Sequence, residues 1–226
     1  MPLHINHHPI VAGKMTQLRE KSTKPAEFRR LLKEITYFVG VEATKDLKTH
    51  KVNVTTPMGV QHSGKELSEK HCIIPILRAG LAMGDGMMEL LPDAAVHHIG
   101  MYRAKDSLIP IQYYNRLPRD EQCDVAFITD PCIATSNTLQ AAVSIVKRWG
   151  AKRIVVVAAI GAKAGIDTLR EAHPDIEIHI GEVDKTLSEE GMILPGIGDA
   201  GDRLFGTPSD EVAAESGPSP KKARKH

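Results

Sequence analysis

The sequence predicts an α/β fold with a mainly parallel sheet flanked by helices. Three short runs rich in isoleucine and valine, residues 72–77, 125–129 and 154–160, have the unbroken apolar character of strands buried on both faces. Amphipathic helical segments separate these runs along the chain. Strands and helices that alternate in this way form parallel sheets, because each helix returns the chain to the edge where the next strand begins.

The helices are predicted from apolar spacing and from the residues at their ends. Between Pro25 and Gly40, and again from Leu139 to the glycine at 150, apolar residues repeat at helical spacing. In chain order the sequence predicts a helix over 25–40, a strand over 72–77, a helix over 81–91, strands over 96–101 and 125–129, a helix over 139–149, a strand over 154–160, a helix over 164–173 and a strand over 176–180.

Composition excludes several classes of protein. The 226 residues carry 29 Lys and Arg against 28 Asp and Glu, a formal net charge of +1. Such a balance gives no overall field to attract a polyanion, so we predict no nucleic-acid partner. The longest apolar stretch, residues 154–162, is about half the length that a membrane-spanning helix needs, so we predict no membrane contact. We expect a soluble, cytoplasmic protein.

Neither the cysteines nor the histidines form a metal-binding motif. The cysteines are odd in number and lack a CxxC pair, which argues against a disulfide framework or a zinc ribbon. We interpret them as small buried apolar residues: Cys72, Cys123 and Cys132. Four histidines towards the N-terminus have no cysteine or carboxylate at ligand spacing. We interpret them as exposed and unliganded: His4, His7, His8 and His62.

A change of composition marks the end of the predicted domain. We predict one domain over 1–207 and a disordered, basic-ended tail over 208–226, which has almost no large apolar residues. The final basic run, 220–225, resembles a short nuclear-import signal, but such runs are also typical of solvated termini. We expect deletion of the tail to leave activity intact.

The loop after strand 125–129 combines an acidic residue with hydroxyl and amide side chains. It reads Asp130-Pro-Cys-Ile-Ala-Thr-Ser-Asn-Thr138 and leads into a helix. Ligands bind beyond the carboxyl ends of parallel strands, and a helix N-terminus favours a phosphate. The alternative is structural, in which Ser136, Asn137 or Thr138 caps the helix and Asp130 closes a turn.

Two arginines and a glycine-rich stretch supply further candidates. Arg78 and Arg103 each follow a predicted strand, where a guanidinium suits a diphosphate, although either arginine could form a surface ion pair. The stretch 191–206 contains enough glycine to bring backbone N–H and C=O groups against a planar ligand. From composition alone it can also be an ordinary connection.

Taken together, these loops resemble those of uracil phosphoribosyltransferases. The resemblance runs from about residue 8 to 207 and rests on four motifs in order: Pro75-Ile-Leu-Arg-Ala-Gly80, Gly100-Met-Tyr-Arg103, Asp130 to Thr138, and Leu194-Pro-Gly-Ile-Gly-Asp-Ala-Gly-Asp202. It implies a phosphoribosyltransferase-like sheet with a small hood formed by the N- and C-terminal segments.

The resemblance also implies roles for individual residues. Asp130 would hold the ribose hydroxyls of phosphoribosyl pyrophosphate (PRPP), and Arg78 and Arg103 would face its pyrophosphate. The loop that cradles the 5′-phosphate would consist of Ala134, Thr135, Ser136, Asn137 and Thr138. The residues that clasp uracil would be Ile193, Gly198, Asp199 and Ala200. Asp199 would also help to position uracil or steady the cation that develops on the ribose, so the implied catalytic residues are Asp199, Arg103 and Arg78.

The implied reaction is displacement of pyrophosphate from ribose C1′ by uracil N1, which gives UMP. Mg²⁺, bound mainly through the pyrophosphate, would be the cofactor, and the protein itself would supply no metal site. The implied partners are uracil, PRPP and further copies of the chain in a homodimer or homotetramer.

The phosphate loop departs from the family pattern. Relatives usually have Thr-Gly-Gly-Ser/Thr where this chain has Thr135-Ser136-Asn137-Thr138, and many have Tyr in place of Met192. If Ser136 must adopt a left-handed conformation, the strain is on the order of 1–3 kcal/mol. The alternative to an active enzyme is therefore a weakened or silent relative that binds nucleotides or has a regulatory role. A third alternative, the same reaction with a purine, would require a different base-binding loop.

Overall fold

The computed structural model describes residues 2–103 and 110–207, and of Arg103 it describes only the backbone. The tail predicted over 208–226 lies outside the described residues. The helices in the described part are α1 (Pro9–Arg19), α2 (Pro25–Thr44), α3 (Leu81–Leu90), α4 (Asn137–Trp149), α5 (Lys163–Ala172) and α6 (Ala200–Phe205). The strands are β1 (Leu3–Ile5), β2 (Thr49–Thr55), β3 (Gln61–Leu67), β4 (His71–Leu77), β5 (Ala95–Val96), β6 (Ile99–Arg103), β7 (Pro110–Asn115), β8 (Val125–Thr129), β9 (Cys132–Ile133), β10 (Arg153–Ala162), β11 (Glu177–Asp184), β12 (Thr186–Leu187) and β13 (Ile193–Leu194).

A nine-stranded sheet forms the centre of the molecule, in the order β1-β11-β10-β8-β4-β6-β7, with β5 beside β4 and β9 beside β10. All of its pairings are parallel except that of β6 with β7. Thr129, the last residue of β8, pairs with Pro75 on one side and Val157 on the other. The parallel α/β fold predicted from the sequence is confirmed.

Each face of the sheet has its own apolar core, because alternate residues of a strand point to opposite faces. Val125 and Phe127 of β8 pack into the core beneath α1, α2 and α3, whereas Ala126 and Ile128 pack into the core beneath α4 and α5. The central strands are therefore buried on both faces, which explains their unbroken apolar sequences.

The N- and C-terminal segments lie together, as expected for a hood. Helix α6 packs on α2, and the Arg203 guanidinium donates to the carbonyl oxygens of Leu18 and Glu20, at 2.7 and 2.5 Å, at the C-terminal end of α1. The short β12–β13 ladder connects β11 to α6. This arrangement brings the glycine-rich stretch over the carboxyl end of the sheet.

Three predictions of element bounds were wrong, and one of them is the strand predicted over 176–180, which is β11 and continues to Asp184. The helix predicted over 25–40 continues to Thr44, because Gly40 lies at the crossing of α2 and α3 and does not end the helix. A Cβ at Gly40 would lie 2.6 Å from Cδ1 of Leu90, so glycine permits the close approach of the helices. The strand predicted over 96–101 is two strands, β5 and β6, which both pair with β4.

Several elements were not predicted. Strands β2 and β3 form an antiparallel hairpin, here called the arm, whose residues are mostly exposed on both faces. The arm therefore lacks the alternation of buried and exposed residues from which strands are predicted. Helix α1 buries only Val11, Met15 and Leu18. None of the helices in the described ranges is both long enough and apolar enough to cross a membrane.

Candidate active site

A cavity of about 460 Å³ opens at the carboxyl ends of β4 and β8. It brings together predicted residues from three separate parts of the sequence. Those that line it are Arg78, Asp130, Ala134, Thr138, Ile193, Gly198, Asp199 and Ala200. The predicted loops therefore meet at one end of the sheet, where parallel α/β folds bind their ligands.

The loop predicted to hold a phosphate runs from β8 into the N-terminus of α4. Ala134 and Thr138 line the cavity, and Thr135, Ser136 and Asn137 lie between them in the chain. The first backbone N–H groups of a helix have no partner within the helix, and together with the helix dipole they favour an anion. This end of the cavity therefore suits a phosphate.

Ser136 has φ +69° and ψ −8°, and it is buried. It is the single non-glycine residue with positive φ among the described residues, so the left-handed conformation considered from the sequence is present at Ser136 but not at Asn137. Ser136 occupies the N-cap position of α4 without a side-chain capping hydrogen bond. Its Oγ instead accepts a 2.7 Å hydrogen bond from Nε2 of Gln140. Ser136 therefore stands at the N-cap position, as the structural alternative expected, but its side chain does not cap the helix.

Helix α5 supports the phosphate loop from the other side, a contact that sequence reasoning missed. A Cβ on Gly165 would lie 1.7 Å from the carbonyl oxygen of Ala134. No side chain fits there, so glycine allows the loop and α5 to touch backbone to backbone. A glycine in the first turn of a predicted helix could have signalled this contact.

Arg78 follows the last residue of β4 and lines the cavity. Its Nη2 lies 3.4 Å from Oδ1 of Asp202, and its guanidinium carbon lies 5.5 Å from the centre of the Phe205 ring. The side chain remains 52% exposed. Arg78 is thus a cation at the cavity, loosely held by α6. The backbone of Arg103 ends β6, and its side chain lies outside the described residues.

The residues predicted to contact the base come from β13 and from the turn before α6. Asp199 is the N-cap of α6, and its Oδ1 accepts a 2.9 Å hydrogen bond from the backbone N–H of Asp202. Gly198 has φ +72° and lines the cavity beside Asp199. The backbone of this turn is thereby brought to the cavity wall, as the glycine content suggested.

Other residues that line the cavity were given no role in the sequence analysis. Tyr102 and Tyr113, on β6 and β7, both line it with their ring centres 6.1 Å apart. Cys132 also lines it and is only partly buried, so the interpretation of all three cysteines as buried was wrong for this one. Cys132 begins β9 at the cavity, whereas Cys72 and Cys123 are buried.

The interpretation of His4 as exposed was also wrong. Because β1 pairs with β11, the His4 ring is partly buried and stacks on that of His179, with the centres 4.4 Å apart. His4, His179 and Glu177 place three possible ligand atoms within 4.8 Å of one another. Both carboxylate oxygens of Glu177 already accept hydrogen bonds from Arg153, at 2.7 and 2.9 Å. Stacked rings also direct their nitrogen lone pairs along separate planes, so this cluster does not suit a cation.

A parallel α/β sheet that gathers a loop at a helix N-terminus, an arginine and a glycine-rich turn around one cavity has the architecture expected of a phosphoribosyltransferase. The sequence profile described as "Uracil phosphoribosyltransferase" matches residues 5–207. The chain belongs to the uracil phosphoribosyltransferase family, which confirms the resemblance seen in its sequence.

Individual relatives agree with this assignment. A uracil phosphoribosyltransferase of Dictyoglomus thermophilum is 50% identical over 201 residues, which are 88% of this chain and 97% of the relative. One of Roseiflexus castenholzii is 45% identical over 203 residues, 90% of this chain and 97% of the relative. The solved structure of the AQ2163 protein from Aquifex aeolicus has a TM-score of 0.85 at 33% identity, and the match covers 90% of this chain and 98% of that one.

Proposed function

We propose that the protein transfers the 5-phosphoribosyl group of PRPP to N1 of uracil, giving UMP and pyrophosphate. The observation that carries the proposal is that the loop 134–138, Arg78 and the turn at Gly198 line the same cavity, in a chain of this family. The bond from ribose C1′ to the pyrophosphate oxygen breaks, and a bond from C1′ to uracil N1 forms. The N1 proton of uracil is lost to solvent.

The proposed roles follow from the charge that each part of the substrate carries. The 5′-phosphate lies at the N-terminus of α4, in the loop 134–138, where backbone N–H groups donate to it. Asp130 accepts hydrogen bonds from the ribose hydroxyls. Arg78 and Arg103 stabilise the negative charge that grows on the departing pyrophosphate. Asp199 faces C1′ and the base, where a carboxylate steadies the cationic ribose.

The base is proposed to bind between Ile193 and the backbone of Gly198, Asp199 and Ala200, all of which line the cavity. The edge of uracil offers acceptor, donor and acceptor groups, which backbone N–H and C=O groups can match. Backbone N–H and C=O groups carry no net charge, so they match the hydrogen-bonding groups of a neutral base such as uracil.

The donor atoms of the cavity fit a Mg²⁺ ion that the pyrophosphate brings with it. Mg²⁺ takes oxygen ligands and is commonly held by one or two carboxylates together with substrate phosphates. Asp130 and Asp199 are carboxylates that line the cavity. When bound, the ion would neutralise part of the charge on the pyrophosphate.

We further propose that the enzyme works as a homodimer or homotetramer in the cytoplasm. The arm supports self-association, because it holds apolar side chains in solvent: Val54 at 44%, Met58 at 86%, Val60 at 63% and Leu67 at 45% exposure. Light scattering of purified protein should give a mass of two or four chains, and Val60→Lys should lower it. A highly anionic substrate such as PRPP does not cross a bilayer, which favours the compartment where it is made.

The decisive experiment is an assay of the purified full chain with labelled uracil, PRPP and Mg²⁺. We expect UMP, and we expect Arg78→Ala to lower kcat/KM at least tenfold. Arg148→Ala, which removes an exposed arginine at the far end of α4, is the matched control and should retain activity. Absence of UMP despite binding of PRPP in calorimetry would overturn the proposal and favour a silent nucleotide-binding relative.

A further inference from the structure

The turn 195–198 beside the cavity contains two glycines with positive φ, Gly196 at +63° and Gly198 at +72°. Glycine adopts conformations of either sign of φ with similar ease, so nothing in these residues fixes the turn. Ordering such a segment at the moment of ligand binding would cost conformational entropy. Pro195 fixes its own φ, but the conformation at the two glycines must be held by groups outside the turn.

Arg19, the last residue of α1, and Asp184, the last residue of β11, hold Gly196 between them. The Arg19 guanidinium donates to Oδ1 and Oδ2 of Asp184 at 2.8 and 2.9 Å, and to the carbonyl oxygen of Gly196 at 3.0 Å. Oδ2 of Asp184 accepts the backbone N–H of Gly196 at 2.8 Å. The backbone N–H and C=O of Gly196 are thus both hydrogen-bonded to the Arg19–Asp184 ion pair.

A second arginine holds the next residue of the turn. Nη1 of Arg203 donates to the carbonyl oxygen of Ile197 at 2.7 Å, and the guanidinium carbon lies 4.4 Å from the centre of the Phe28 ring. The same Nη1 donates to the carbonyl oxygen of Leu18, one residue before Arg19. The end of α1 and the turn are therefore tied together at two consecutive peptide groups.

Around the turn, the two positive charges of Arg19 and Arg203 accompany the two negative charges of Asp184 and Glu182. Asp184 is only 8% exposed, and Arg19 also donates to Glu182 at 2.7 Å, so one guanidinium serves two carboxylates. Burial alone would raise the pKa of Asp184, but the hydrogen bonds from Arg19 and from the N–H of Gly196 outweigh it and lower that pKa. Asp184 is thus kept as an anion, the form that accepts all of these hydrogen bonds.

We propose that Arg19, Asp184 and Arg203 are positioning residues for the base. They fix Gly196 and Ile197 from behind, so that the backbone of 198–200 presents a preformed edge to a planar heterocycle such as uracil. None of the three lines the cavity. The inference rests on the proposed function, because it assigns the base to this turn.

The chain offers a matched control for the ion pair. Arg153 donates to Glu177 through two parallel hydrogen bonds, and the side chains of that pair are 27% and 23% exposed, against 22% and 8% for Arg19 and Asp184. Glu177 is the first residue of β11 and Asp184 is the last, so the two pairs lie at opposite ends of one strand. Only the pair at Asp184 contacts the turn.

The kinetic test compares Asp184→Asn with Glu177→Gln in the full-length enzyme. We expect Asp184→Asn to raise KM for uracil about tenfold, while KM for PRPP stays within twofold and kcat within threefold. Glu177→Gln should leave KM for uracil within twofold. Arg19→Lys, which keeps the charge but not the two-pronged geometry, should lie between wild type and Arg19→Ala. Equal changes in KM for uracil in Asp184→Asn and Glu177→Gln, or equal losses towards both substrates, would overturn the proposal.

Hydrogen exchange separates failure of this proposal from failure of the proposed function. In peptides that cover 193–200, Asp184→Asn should exchange its amides at least tenfold faster than wild type, and Glu177→Gln should not. Unchanged exchange in Asp184→Asn would overturn the positioning role even where wild type makes UMP. A wild-type enzyme that makes no UMP overturns the proposed function, and faster exchange would then still establish that Asp184 fixes the turn.

Discussion

Nε2 of Gln140 donates to Oγ of Ser136 at 2.7 Å, from one turn further along α4. The bond ties the strained residue of the phosphate loop, with its φ of +69°, to the helix that follows. The strain at Ser136 belongs to the fold itself, and the hydroxyl offsets part of it.

At Ser136, glycine should give a more stable protein than alanine, the reverse of their usual order in helices. Ser136→Ala keeps the left-handed strain and loses the bond to Gln140, which should destabilise the protein by about 1 kcal/mol. Ser136→Gly also loses the bond but relieves the strain, so we expect it to be more stable than Ser136→Ala by about 1 kcal/mol. Urea unfolding measures both free energies.

Ser144 in the interior of α4 is the matched control for this comparison. There the ordinary helical preference applies, and Ser144→Ala should be more stable than Ser144→Gly by about 1 kcal/mol. If alanine were the better residue at both positions, the left-handed conformation of Ser136 would be contradicted.

Replacing a glycine by alanine should change the unfolding free energy in opposite directions at two helical positions, Gly165 and Gly13. Gly165→Ala places a Cβ 1.7 Å from the carbonyl oxygen of Ala134, so the phosphate loop must move. We expect a loss of about 2–4 kcal/mol in unfolding free energy and a raised KM for PRPP. Gly13→Ala in α1 meets nothing within 4 Å and should stabilise the protein by about 0.5–1 kcal/mol. Thermal unfolding of both variants tests the pair, and destabilisation of equal size would contradict the contact at Ala134.

The sequence predicted the central strands and the loops at their ends because both have local signals. Strand 125–129 was predicted with the bounds that the structure has, since four apolar residues in a row and the threonine that follows them are all buried. The arm gave no such signal, because its strands are buried on neither face. Gly40 was misinterpreted because a glycine at a helix crossing looks in sequence like a glycine at a helix end.

The residues that support the site escaped prediction for a different reason. Arg19 and Asp184 are 165 residues apart in sequence, and each looks like an ordinary surface charge. Only the packing of α1 against the end of β11 brings them to Gly196. Residues that would touch substrate lie in recognisable loops, whereas residues that would shape those loops are defined by tertiary contacts alone.

Asp199 caps helix α6, so a substitution that tests its chemical role must keep the capping hydrogen bond. Its Oδ1 caps α6 by accepting the N–H of Asp202 at 2.9 Å. Asp199→Asn retains an oxygen acceptor and should keep the unfolding free energy within about 0.5 kcal/mol of wild type, whereas Asp199→Ala should lose about 1 kcal/mol. If the carboxylate steadies the developing cation, Asp199→Asn should still lower kcat/KM at least tenfold. Unchanged kcat/KM for both substrates would leave Asp199 with the capping task alone.

Acid should destabilise the protein through His179 before it protonates the carboxylates. Burial lowers the pKa of His179 to about 4, from an ordinary value near 6.5, with a smaller contribution from the neighbouring His4. The unfolded chain therefore binds a proton at His179 between these two pH values and the folded chain does not. It follows that stability falls as the pH drops from about 6.5 to 4, by up to about 3 kcal/mol from this residue.

His179→Phe tests this assignment, because it keeps a ring stacked on His4 and removes the titrating nitrogens. We expect its unfolding free energy to decline less steeply than that of wild type between pH 6.5 and 4, as followed by urea titrations at several pH values. His62→Phe, on the exposed arm, serves as the control and should keep the wild-type slope. The two variants differ in titrating groups only at His179 and at the exposed His62, so a shallower slope in His179→Phe alone isolates the contribution of His179. An identical pH dependence in His179→Phe and wild type would show that the buried imidazole does not set the acid sensitivity of this fold.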